Sequence, residues 1–222
     1  MSTVLVIGAS RGIGLAFVRQ YREAGDRVIA TARDDAGLQR LRELGAEALR
    51  IDVAQPASIS GLAWQLDGEK LDVALYVAGV FPRIDAGVPP TREAFDLAMH
   101  TNLLGAMQAI PQVAPLVEAA TGCFGFISSA MAQIRGVPDG RGWLYRASKA
   151  ALNMAVACAQ HQYPRATLVA LSPGWVQTDM GGAAAPLTVD DSVSRMRATL
   201  ARLTPAQRGA FIDQDGRPFD GW

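Results

Sequence analysis

Tyr145 and Lys149 lie four positions apart in a stretch with helical spacing, so their side chains share one face and a phenol meets an ammonium. A phenol ionises near pKa 10 in water, and a neighbouring positive charge favours its anion. Such a group can exchange a proton at neutral pH, which the reduction of a carbonyl by hydride requires as charge grows on the oxygen. With four Tyr and only Lys70 and Lys149 as lysines among 222 residues, this spacing is an uncommon coincidence. Nearly all of the 21 basic residues are Arg, yet Lys stands here, where a compact point charge suits the role.

A second constellation lies near the start. The apolar run 3–7 passes into Gly8-Ala9-Ser10-Arg11-Gly12-Ile13-Gly14, and a helical pattern begins at once. Glycines at a strand-to-helix turn let the backbone approach a pyrophosphate, whose charge is met by the helix amino terminus. The end of the second apolar run selects the nucleotide, because a carboxylate there holds a ribose 2′-hydroxyl and an Arg accepts a 2′-phosphate. Here it reads Ala30-Thr31-Ala32-Arg33, and Arg33 with Arg11 favours NADP(H) over NAD(H). The competing assignment puts Asp34 or Asp35 on the 2′-hydroxyl, but those residues open a helical pattern and read more simply as caps.

The elements that position these residues alternate. Short apolar runs recur at 3–7, 27–31, 46–51, 71–77, 123–128, 167–171 and 210–212. Between them, helical spacing covers 12–24, 35–43, 58–66, 92–120, 144–160 and 189–203. That pattern predicts one α/β domain over 1–222, a doubly wound Rossmann parallel sheet of about seven strands with helices on both faces and its ligand crevice at the carboxyl ends of the strands. The stretch 181–186, rich in Gly, Ala and Pro, is expected to be a mobile loop.

Lys and Arg balance Asp and Glu at 21 each, so no net field gathers nucleic acid, and a small molecule is the expected partner. Only Cys123, Cys158 and two His are present, without metal-ligand spacing, so neither a disulfide framework nor a metal site is expected. No apolar stretch has the length of a membrane span, and no basic region precedes the first apolar run. A soluble, unprocessed cytoplasmic protein is therefore expected.

Together these residues resemble the classical short-chain dehydrogenase/reductase family, closest to its subgroup of C-factor and sniffer-like carbonyl reductases. Gly8 to Gly14 match the cofactor turn, Asp52-Val53 the adenine-contacting pair, Ala78-Gly79 the end of the fourth strand and Asn102 the helix asparagine. Ser128-Ser129 close the fifth strand, Tyr145-Arg146-Ala147-Ser148-Lys149 match the catalytic motif, and Pro173-Gly174-Trp175-Val176-Gln177-Thr178 match the loop that cradles the nicotinamide. The resemblance implies that Ser129 polarises the substrate oxygen, Tyr145 transfers the proton, Lys149 lowers the tyrosine pKa and grips the ribose, and Asn102 anchors a relay water. It also implies a homodimer or homotetramer through the helices at 92–120 and 144–160, and a small carbonyl or alcohol as substrate.

Three departures from the family stand out. Tyr76-Val77 replace its usual paired asparagines before Ala78-Gly79, Ile7 replaces its threonine before the first glycine, and Ser129 and Tyr145 are 16 positions apart, a longer loop than usual through 135–142. The last keeps Ser128 as an alternative to Ser129, because adjacent strand residues face opposite ways. Phe81, Met131, Trp143, Trp175 and Met180 are candidates for an apolar substrate pocket. Two rival functions share the scaffold, a cofactor-binding sensor without turnover and a nucleotide-sugar epimerase or dehydratase. The complete Ser, Tyr, Lys and Asn set argues against the first, and the short chain after Thr178 against the second.

Overall fold

Strands β1 (Thr3–Ile7), β2 (Arg27–Ala32), β3 (Glu47–Arg50), β4 (Val73–Tyr76), β5 (Cys123–Ile127), β6 (Thr167–Leu171) and β7 (Phe211–Ile212) form one parallel sheet in the computed structural model, which describes residues 1–220 and 222. The order is β3-β2-β1-β4-β5-β6-β7, so the strand sequence reverses between β1 and β4, where a crevice opens at the carboxyl ends.

The continuous apolar runs follow from burial on both faces. Along β1, Leu5 and Ile7 join Val113, Val117, Leu152 and Val156 in one core layer. Val4 and Val6 alternate to the opposite face, against Phe17, Leu38, Val193 and Met196. The edge strand β3 lacks that double cover, and its outer residues Glu47 and Arg50 are exposed.

Helices α1 (Gly12–Glu23), α2 (Asp35–Glu43), α5 (Arg92–Met99), α6 (Gly105–Ala119), α7 (Trp143–Gln160) and α8 (Val189–Leu200) fall where the spacing puts them. The segment expected as one helix over 58–66 is instead two single turns, α3 (Pro56–Ile59) and α4 (Leu62–Gln65), separated at Ser60-Gly61, where glycine weakens the helix. The long helix expected over 92–120 is continuous in extent but contains a π-helical turn, His100–Leu104, with Asn102 at its centre. The stretch 181–186 is a loop, and it is tied down. Gly182 N–H donates to Thr178 O at 2.8 Å, Gln177 Nε2 donates to Ala185 O at 2.9 Å, and Ala185 is buried.

Candidate active site

The glycine turn shows why each glycine is needed. Gly8 has φ +86°, and a Cβ on it would fall 2.6 Å from Ala78 N; one on Gly14 would fall 2.4 Å from Gly8 O, so α1 seats directly on the turn. Gly12 is exposed, and a Cβ there would meet nothing closer than Thr178 Cγ2 at 3.7 Å, which leaves its backbone approachable from the cleft. The brace lost with Ile7 in place of threonine is supplied from the next strand: buried Thr31 accepts from Gly8 N–H through Oγ1 at 3.0 Å. Ile13 packs toward the α1 side of the core.

At the nucleotide end, both aspartates are engaged. Asp34 caps α2, accepting from Gly37 N–H at 2.7 Å, and Asp35 pairs with Arg50. Arg33 is exposed; its carbonyl accepts from Arg50, and its guanidinium has no hydrogen-bond partner among the described residues. Arg11 does not turn toward Arg33. It reaches across the cleft, and Nη1 meets Asp179 Oδ2 at 2.9 Å. Sequence reasoning missed a third guanidinium, because only the fold places it: Arg40 of α2 donates from Nε to Ser10 O at 3.0 Å. Further along, Asp52 accepts from Ala54 N–H at 3.0 Å beside buried Val53.

At the catalytic end, adjacent serines part company as the strand pleat requires. Ser128 is buried and donates from Oγ to Asn153 Oδ1 at 2.6 Å, whereas Ser129 Oγ accepts from Met131 N–H at 3.1 Å and stands close enough to the Tyr145 phenol to favour its ionised form. The geometry thus brings Ser129, not Ser128, to the phenol. Asn102 commits its whole amide. Oδ1 accepts from Val80 N–H at 2.8 Å, and Nδ2 donates to Val80 O and Ser148 Oγ, both at 2.9 Å. Ser148 Oγ passes the chain on to Tyr145 O at 2.8 Å.

Lys149 is buried and donates to Ile127 O at 2.7 Å. Its Nζ lies 5.8 Å from the Tyr145 ring centre. Gly79 makes room for it: a Cβ there would meet Asn102 Oδ1 and Lys149 Nζ, each at 3.4 Å. Burial pushes Lys149 down to about 8 and Tyr145 up to about 12, the latter opposed by the nearby Ser129 hydroxyl. Desolvation therefore outweighs the pull expected from the lysine in the protein itself.

The missing asparagines are replaced by a tyrosine. The Tyr76 hydroxyl, fully buried, donates to Thr101 O at 2.7 Å, inside the π turn that carries Asn102. Phe81 packs on Tyr145 with ring centres 4.5 Å apart and planes tilted by 51°, and it borders Gly142 and Met131, so one aromatic wall of the cleft adjoins the phenol. On the far side, Pro173 O accepts from Ser192 Oγ at 2.7 Å, Gly174 has φ +79°, Val176 is buried, and Thr178 Oγ1 accepts from Gly181 N–H at 3.0 Å. Trp175 and Met180 stand exposed beside that segment. Among the described residues no cluster of His, Cys, Asp or Glu is arranged to hold a metal, and no helix is long and apolar enough to cross a membrane.

This arrangement can hold a dinucleotide along the strand ends and deliver a proton beside it. A family model described as Enoyl-(Acyl carrier protein) reductase matches residues 8–212. The chain is 30% identical over 231 aligned residues to 1-hydroxy-2-glutathionyl-2-methyl-3-butene dehydrogenase of Rhodococcus sp. (strain AD45), covering 97% of this chain and 98% of that one. Its fold is similar to that of carbonyl reductase Sniffer of D. melanogaster, with a TM-score of 0.91 at 28% identity and full coverage of both chains. It is also similar to NADPH-bound carbonyl reductase from chicken fatty liver, with a TM-score of 0.90 at 30% identity over 100% of this chain and 99% of that one.

Proposed function

Because the chain belongs to the short-chain dehydrogenase/reductase family, a family of oxidoreductases, we propose that it transfers hydride between NADP(H) and a small carbonyl or alcohol, with Tyr145 as general acid or base. The observation that carries this reading is the meeting of Ser129, Tyr145 and Lys149 beside Gly79, at the strand ends that also carry the glycine turn.

In the reductive direction the protein holds Tyr145 protonated at neutral pH, the state a general acid needs. Ser129 donates to the substrate oxygen as its charge grows. Lys149, protonated below about 8, stabilises the phenolate left behind. Asn102 acts on these groups by position, fixing Val80 to α7 through Ser148. NADP(H), when bound, would supply or accept the hydride, and the positive charge of its oxidised ring would favour the Tyr145 phenolate for the reverse reaction.

The nucleotide would lie against Gly8, Ser10, Gly12, Ile13, Gly14, Asp52, Val53, Ala78 and Gly79, with Pro173, Gly174, Val176 and Thr178 at its nicotinamide end. The residues fit NADP(H) better than NAD(H). Asp34 and Asp35 are spent on a cap and an ion pair, while Arg40 holds its guanidinium at Ser10 O and the exposed Arg33 keeps its own without a partner among the described residues. The NADPH-bound chicken carbonyl reductase points the same way. A cytoplasmic location accords with two unpaired cysteines, and the exposed apolar residues Phe95, Leu97, Met107 and Met154 on α5, α6 and α7 favour the homodimer or homotetramer.

The test is a tryptophan-fluorescence titration with NADPH and with NADH, followed by aldehyde and ketone reduction in wild type and Tyr145→Phe. Selective NADPH binding with a loss of turnover of about 10²–10⁴-fold in the variant is expected. Unchanged turnover in Tyr145→Phe removes the proposed acid, and preference for NADH removes the 2′-phosphate assignment.

A further inference from the structure

The wall of the cleft beside Tyr145 carries a charge that the proton chemistry does not use. Arg83, four residues beyond Gly79, places its guanidinium carbon 5.6 Å from the centre of the Phe81 ring. Its Nη2 donates to Met180 O at 3.1 Å, on the segment that follows β6. The side chain thus spans the two lips of the cleft while leaning on the aromatic ring that packs, tilted, against Tyr145 at 4.5 Å. Taken together, these separations put the guanidinium carbon at most about 10 Å from the Tyr145 ring centre.

No carboxylate pairs with Arg83 among the described residues, although three stand on segments that border the cleft. Each is engaged elsewhere. Asp85 accepts from Gly142 N–H at 3.1 Å, Asp139 binds Arg141 and Arg146, and Asp179 binds Arg11. A guanidinium has five N–H donors in a planar fork, and Arg83 spends one of them on a carbonyl. On the same wall, Phe81 and Met131 meet beside Gly142 and supply apolar surface.

From this arrangement we propose that the substrate is an amphipathic carbonyl compound: a carbonyl at one end, an apolar or aromatic spacer, and a carboxylate at the other, with Arg83 as the specificity-determining residue. This rests on the reductase reading above. The spacer lies along Phe81, the carbonyl meets Ser129 and Tyr145, and the carboxylate takes the free edge of the fork, a geometry that Arg matches bidentately and Lys does not. Contact at a distance from the reacting atoms is made equally in ground and transition states, so it acts on KM.

The experiment compares 4-carboxybenzaldehyde with its neutral isostere 4-formylbenzamide, using the full chain with NADPH, in wild type, Arg83→Ala, Arg83→Lys and Arg83→Glu. Wild type should favour the acid in kcat/KM by about 10-fold through KM, with the preference shrinking as salt is raised. The ratio should fall to about 1 in Arg83→Ala, survive in part in Arg83→Lys, and invert in Arg83→Glu. A wild-type ratio near 1, or a preference that persists in Arg83→Ala, overturns the inference. If neither aldehyde is reduced, the reductase reading fails on its own, and the carboxylate site is decided by calorimetry with 4-carboxybenzyl alcohol against 4-(hydroxymethyl)benzamide. Tighter binding of the acid that is lost in Arg83→Ala upholds the site; equal binding removes it.

Discussion

At the catalytic end of the cleft Lys149 is 3% exposed, Asn102 and Ser148 are fully buried, and each is tied to the backbone or to another buried group. At the nucleotide end Arg11 and Asp179 pair with side chains 75% and 81% exposed, and Arg33 and Arg40 stand on the surface. Both ends rely on positive charge, but in one the charge is short of solvent and in the other it is surrounded by it. A buried ammonium couples rate, pKa and stability, so a single substitution moves all three. An exposed guanidinium is screened and mobile, so its loss should move affinity for an anionic ligand and little else.

Lys149→Met tests the buried end most severely. Turnover should fall by about 10²–10³-fold, because the charge that stabilises the phenolate is gone. Stability should respond with a definite pH signature. The folded pKa of about 8 lies below the ordinary lysine value of 10.5. The unfolded chain therefore binds the extra proton between those values, and the stability of wild type relative to the variant should rise with pH across that window. The cost of burying the charge is fully present below pH 8, is relieved between 8 and 10.5, and is absent above; its span is about 3 kcal/mol. Denaturant titrations at pH 7, 9 and 10.5 should show that slope in the difference between wild type and variant, since the buried Cys123 and tyrosines contribute equally to both. A parallel pH dependence in both proteins would mean that Lys149 is hydrated and that the two ends are not so different.

Tyr76→Phe should have the next largest effect, on stability before activity. It removes the side-chain donor to Thr101 O at a fully buried site, a loss of about 1 kcal/mol by urea unfolding. Since Thr101 precedes Asn102 in the π turn, kcat should drop a few-fold while cofactor affinity holds. An unchanged urea midpoint would show that the brace contributes nothing.

This residue also marks where reading the sequence stops. The glycine turn and the shared face of Tyr145 and Lys149 were legible because both lie in local spacing, and strand alternation by itself requires Ser128 and Ser129 to face opposite ways. The sheet was legible because burial on both faces writes itself as continuous apolar runs. Tyr76, Thr31 and Arg40 carried no such signal. A tyrosine in a buried strand reads as core, and the partners that give these three a role, Thr101 O, Gly8 N–H and Ser10 O, come from elements distant in sequence. The π turn was illegible for another reason: its helical spacing continues on both sides, and one extra residue per turn leaves the pattern of apolar positions nearly intact.

For the exposed end, Arg40→Ala and Arg33→Ala should each weaken NADPH binding by about 10-fold, the worth of one charge-assisted contact to a phosphate, and leave NADH binding unchanged. Thermal midpoints should stay put. Equal weakening of both dinucleotides by Arg40→Ala would mean that its bond to Ser10 O shapes the glycine turn, and that a surface arginine at this end is structural after all.

The smallest effect is expected at the Arg11 and Asp179 pair, and its direction is the informative part. Solvent-exposed pairs are worth little, so breaking this one should barely move stability. Arg11 cannot serve Asp179 and a 2′-phosphate at full strength together, so Asp179→Asn should free the guanidinium and tighten NADPH binding by about 2–5-fold, with no change for NADH. High salt should erase the gain. If both dinucleotides instead bind more weakly in Asp179→Asn, the pair is a latch that closes the post-β6 segment over whatever lies in the cleft. In that case selection of the phosphate falls to Arg33 and Arg40, and the exposed end would hold one fixed charge contact among its mobile ones.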